Sequence, residues 1–210
     1  MNKKTDKKLT SQEIYSHINY KERLVDYNNW LKKAKELFAA ADELKPYIER
    51  SWEIMKQDAK EGRYSKGGMK PHSLPPNIQG MYFMLIAFAL ENLCKAVYIL
   101  ENSDELTALD LFSGGSLPEE IRTHKLKNLV EKVDFNINVS DEDLLTRLAI
   151  NSMWAGRYPV PTDSSKLKNI EVFSDGKPYL TALFYSHDIQ RLDSLIQRIR
   201  AHITAKITGK

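Results

Sequence analysis

The feature that most constrains this chain is the unbroken apolar run from Met81 to Leu90, which meets Glu91 and Lys95 one turn further on. Ten residues are too few for a membrane span of about 20. A helix from about 78 to 101, apolar nearly all round in its first half, has no polar face to give to water. It therefore belongs at the centre of a helical bundle. Glu91 and Lys95 stand four apart in the order that favours an ion pair at its more polar end.

The flanking sequence has the same helical character. From Ser11 to Glu61, Leu24, Tyr27, Leu31, Ala34, Leu37, Phe38, Ala41, Leu44, Ile48, Trp52 and Met55 recur at spacings of three and four. This predicts one long amphipathic arm, with a kink or break just before Pro46, whose nitrogen has no hydrogen to donate. The glycines and prolines between 61 and 77 predict a loop. Ser116 and Glu119 suggest a capping box opening a helix from 118 to 133. Ser140 with Asp141, Glu142 and Asp143 suggests a second helix, reaching Trp154 and stopped by Gly156. A small hairpin is predicted near 169–181, around Asp175-Gly176. A last helix runs to about Ala205, with His187 beside Asp188 at its cap and basic residues, His202 among them, on its exposed side.

Composition adds limits. A net charge of +3 from 31 basic and 28 acidic residues neither demands nor excludes nucleic acid. The one cysteine, Cys94, permits no intramolecular disulfide and no cysteine-based zinc site. No phosphate-binding glycine loop, dinucleotide fingerprint, paired-histidine zinc motif or nucleophile elbow is present. Residues 1–10 read as a flexible basic tail without a secretory leader, and 11–210 as a single all-α domain. The expectation is a soluble, cytoplasmic chain with no membrane span, no metal and no cofactor.

Two local clusters carry chemistry. Arg122, His124 and Lys125 form a basic turn able to meet a phosphate or to lie in solvent. In Trp154-Ala155-Gly156-Arg157-Tyr158-Pro159 an arginine sits between two aromatics in a stiff turn. Its guanidinium suits a phosphate or a carboxylate, whether on a ligand or on a neighbouring helix.

Three segments, Ala87 to Ala96, Thr123 to Leu129 and Trp154 to Pro159, resemble in order the HEPN domain family of helical bundles. That family commonly shows an Ala-x-Glu-x-x-x-Lys-Ala helix, a later His-Asp-Leu helix start and an Arg-Tyr-Pro turn. The resemblance spans about 81–161. It implies an up-and-down bundle with its core at about 78–205 and a long N-terminal helix. It also implies homodimers, and roles in bacterial toxin–antitoxin, phage-defence and RNA-processing systems. Glu91, Lys95, His124 and Arg157 match family positions; Lys125 stands where the family usually has Asp.

Active family ribonucleases place a His about four to six residues after an Arg. Here no His follows Arg157 before His187, and only three residues separate Arg198 from His202. The expectation is thus a non-catalytic module that binds RNA or nucleotide phosphates, or a cognate partner protein. Its binding residues would be Arg157, Tyr158, Trp154, His124, Arg122, Lys125, Glu91 and Lys95. One alternative is a divergent metal-independent ribonuclease using Arg157 and His124; another is a purely structural interaction module.

Overall fold

A computed structural model describes residues 10–65, 67–108, 118–158, 163, 171–174, 177–180 and 185–209. Trp154 and His17 are described in backbone only. The fold is an all-α bundle of seven helices among the described residues: α1 Ser11–Val25, α2 Tyr27–Lys60, α3 Gln79–Glu101, α4 Ser103–Ala108, α5 Leu126–Lys132, α6 Val139–Ile150 and α7 Asp188–Thr208. A π-helical turn, Asn151–Ala155, continues α6. Strands β1 Glu171–Ser174 and β2 Lys177–Leu180 form the antiparallel hairpin, with Glu171 opposite Leu180 and Ser174 opposite Lys177.

The apolar run does form the central helix. Tyr82, Phe83, Ile86, Ala87, Leu90, Val97 and Ile99 are buried, and α3 packs on α2, α4, α5, α6, α7 and the π-helical turn. By length and composition α3 would also pass for a membrane span, although 67% of its most apolar window is buried within the bundle. Cys94 is buried there, and burial, aided by the Glu91 charge, pushes its thiol up to about 12. It carries no thiolate near neutral pH, so it is chemically inert.

The long arm breaks at Asp26, not before Pro46. Asp26 ends α1 in an extended conformation and its carboxylate accepts the Asn28 amide at 3.0 Å, capping α2. Pro46 lies inside α2, which stays continuous. Proline removes only one ladder bond, and buried Ala34, Phe38, Ala41 and Ile48 hold α2 against α3 on both sides of it. The helix expected from 118 starts only at Leu126. Residues 118–122 close a single turn on the Pro118 carbonyl, and the chain is extended at Lys125. Ser116 lies outside the described residues, as do 109–112, Gly114, Gly115, Pro159 and Pro161. The α6 cap is Asn138 rather than Ser140. Its side chain accepts the Asp141 amide at 2.9 Å, and Asp141 reciprocates at 3.2 Å.

The basic side of α7 is spent on its neighbours rather than left to solvent. Arg198 grips Asp141 at 2.6 and 3.1 Å, Arg191 donates to the Ser140 carbonyl and hydroxyl at 2.8 Å, and Lys206 meets Glu101 and Asp134 at 2.8 Å. His202 is pinned to the Val133 carbonyl at 2.7 Å, edge-on to Phe135. His187 makes no side-chain cap bond. Asp188 instead accepts the Tyr185 amide at 2.7 Å and pairs with Arg147 from α6.

Burial pushes the Asp141 carboxyl up, but the Arg198 hydrogen bonds, the Asn138 amide and the nearby arginine charges outweigh it, holding the group below the usual carboxylate range. A depressed value means that the stabilisation is complete above the unfolded Asp value of about 3.9 and fades as pH falls through the folded one. Asp141→Asn removes that pH-dependent share. The gap in melting temperature between wild type and variant should therefore close as pH is lowered below about 4, measurable by thermal denaturation across a pH series.

Candidate functional site

The midpoint of α3 and the segment entering α5 together build a charged cluster. Glu91, 6% exposed, accepts the Lys95 ammonium through Oε1 at 2.6 Å, one helical turn along. Lys95, 4% exposed, lies 5.8 Å from the centre of the Trp30 ring, whose indole N–H is tied to the Leu24 carbonyl at 3.0 Å. The ammonium is held between a carboxylate and an aromatic face. Carboxylate, ammonium and ring thus lock one another.

The second oxygen of Glu91 faces His124. Its Oε2 lies 2.8 Å from His124 Nδ1, while the histidine side chain is 63% exposed. A carboxylate can only accept, so Nδ1 carries the hydrogen and Nε2 is the acceptor when the ring is neutral. The ring also meets Phe88 edge-on, at 6.5 Å between centres. His124 is thereby oriented from the protein side, with its remaining nitrogen available to solvent.

Arg122 and Lys125 are exposed on either side of His124. The Lys125 amide is held by the Thr123 hydroxyl at 3.1 Å, which fixes the backbone on which both side chains ride. Lys127 is engaged with Glu142 at 2.5 Å. The outcome is a short basic strip, Arg122-Thr123-His124-Lys125, mounted on a buried ion pair.

The other predicted cluster lies elsewhere. Arg157 turns back on its own chain, its Nη2 donating to the carbonyls of Ser152 at 2.9 Å and Met153 at 2.6 Å, with the Tyr158 ring 5.7 Å away. The fork closes the π-helical turn by satisfying carbonyls that a π-turn leaves open. Its neighbour Gly156 abuts the start of α3: a Cβ at Gly156 would stand 2.6 Å from the Gly80 carbonyl oxygen and 2.6 Å from Met84 Cβ. Gly80 is eleven residues, or about 16 Å of helix, from Glu91. The structure therefore brings Glu91, Lys95, His124, Arg122 and Lys125 together and leaves Arg157 and Tyr158 at the far end of α3.

A third cluster went unseen in the sequence. Asp58, fully buried in the last turn of α2, meets the backbone amide of His72 at 2.9 Å and its ring Nδ1 at 2.5 Å, across fourteen residues. Only the glycines and prolines between them marked the segment, and those residues signal a loop without saying what it closes on. No family model, no curated protein and no solved structure matches this chain, so its site is characterised by geometry alone.

Proposed function

We propose that this protein is a HEPN-like helical module that binds RNA or nucleotide phosphates, without cleaving them, on the strip formed by Arg122, His124 and Lys125. The observation that carries the reading is the orientation of His124 by a carboxylate that is itself fixed by a buried lysine. A surface histidine with no other task gains nothing from such support. Held in this way, it presents one nitrogen to a ligand with little ordering entropy left to lose. Protonated, it adds a cation beside two others, the arrangement that attracts a phosphate backbone.

The separation of Arg157 from His124 along α3 argues for binding rather than cleavage within one chain. Phosphodiester cleavage without metal needs a base and a charge-stabilising cation at the same phosphate. Here Arg157 is bonded to its own turn, and that turn packs on Gly80, eleven residues along α3 from the Glu91 that orients His124.

The test is fluorescence anisotropy with a labelled single-stranded RNA at low salt. His124→Ala should weaken binding roughly tenfold, the cost of one charge-assisted hydrogen bond. Arg122→Ala and Lys125→Ala should each lower the salt slope by about one, and Arg157→Ala should bind like wild type. Binding by His124→Ala that equals wild type would overturn the assignment, and metal-independent shortening of the RNA would replace it with the nuclease reading.

A further inference from the structure

The end of α2 is built to hold something that the phosphate-binding reading does not use. Gly62, at φ +67°, lets the chain reverse. Its amide bonds the Ala59 carbonyl at 3.1 Å and the Arg63 amide bonds the Asp58 carbonyl at 2.9 Å, the double bond of a Schellman cap. This reversal brings Glu61 and Arg63 to the same end as Asp58. The loop then returns: Arg63 Nη1 donates to the Lys70 carbonyl at 3.0 Å, and His72 arrives with both its amide and its ring on Asp58. One carboxylate oxygen from Asp58, one from Glu61 and one ring nitrogen of His72 all lie within 4.8 Å of one another, and it is Nδ1 that meets Asp58.

We propose that Asp58, Glu61 and His72 form a binding site for a divalent transition-metal ion of the zinc class, with water completing its coordination. One imidazole and two carboxylates are a donor set that zinc accepts at four-coordination. The nitrogen disfavours calcium and magnesium, which take oxygen ligands. His72 is anchored by its main chain, so Nδ1 is aimed before any ion arrives. The ion takes the place of the hydrogen that Nδ1 donates to Asp58, and that hydrogen shifts to Nε2. The ring is 51% exposed while Asp58 is fully buried, giving an ion an approach from solvent and a desolvated anion to meet. Two carboxylates also sit at the C-terminal end of a 34-residue helix, where the backbone dipole adds negative potential and favours a cation.

Arg63 is the resident competitor. Its Nε stands 2.5 Å from Glu61 and 3.4 Å from Asp58, so an entering ion displaces the guanidinium, which retains its bond to Lys70. The bound ion fastens the loop after α2 to the end of that helix. It leaves the surface around His124 untouched, so this site stands or falls independently of RNA binding.

Titration of the untagged full chain with Zn2+ at neutral pH, followed by chelator competition, tests the site. The expected result is one ion per chain, with no comparable binding of Mg2+. His72→Ala should weaken it by at least ~10-fold, the loss that removing even an outer partner of a metal ligand causes. Arg63→Ala should tighten it, by removing the guanidinium that holds Glu61. Because Asp58→Asn removes a buried acceptor and can disturb folding, His72→Ala and Arg63→Ala, both on the loop, carry the decision. Zn2+ that fails to saturate at one per chain, or that binds His72→Ala as tightly as wild type, overturns the proposal.

Discussion

Arg147→Ala is expected to lower the unfolding free energy by about 3–5 kcal/mol, because it strips a buried carboxylate of its buried, doubly bonded counter-charge. Arg147 is 2% exposed and Asp188 1%. The guanidinium donates twice to Asp188, once more to Asp143 at 2.9 Å, and lies over the Tyr185 ring. Burial works against its charged form, but the hydrogen bonds to Asp188 and Asp143 more than compensate, so its basicity is raised. Truncation removes a permanent cation at the seam between α6 and α7. Among the described residues, Asp188 then keeps Arg191 at 3.3 Å and the Tyr185 amide. Urea denaturation gives the loss directly. The double variant Arg147→Met with Asp188→Leu should recover much of it, since exchanging both partners of a buried pair for apolar groups is often close to neutral. A double variant no better than Arg147→Ala would mean that the pair also fixes the α6–α7 geometry.

Glu91→Ala should cost a similar ~3–5 kcal/mol, here by stranding an ammonium. Lys95 would keep the Trp30 face but lose its only anionic contact described. The same change releases His124, so stability and RNA affinity should fall together. Adding Lys95→Met separates the two effects. The buried charge disappears and stability returns, whereas His124 stays unoriented and RNA affinity stays at the level of His124→Ala. Recovery of RNA binding in the double variant would show that the orientation of His124 is irrelevant to the ligand.

The central helix was legible because nothing else accommodates ten apolar residues in a row, and the Glu91–Lys95 pair because helical spacing puts residues four apart on one side. The Glu91–His124 bond was not. It joins residues 33 apart, and only the packing of α5 on α3 brings them together. The anchoring of Arg157 was hidden for a related reason. Spacing shows that an arginine follows a helix-ending glycine, but not that a π-turn leaves two carbonyls within its reach. At Pro46 the break, one of the two outcomes expected there, does not occur because burial on both sides outweighs one lost bond, while the break at Asp26 comes from its extended backbone and capping carboxylate. Asp58 and His72 stayed hidden because a loop rich in glycine and proline carries no periodicity from which to infer its landing point.

The crossing of Gly80 and Gly156 has a mechanical consequence. Helices separated by side chains can slide as rotamers change, but two main chains in direct contact have nothing compressible between them. The contact sets the closest approach of the turn at Gly156 to the first turn of α3. Arg157 and Tyr158 are therefore placed from a fixed point on the central axle of the bundle.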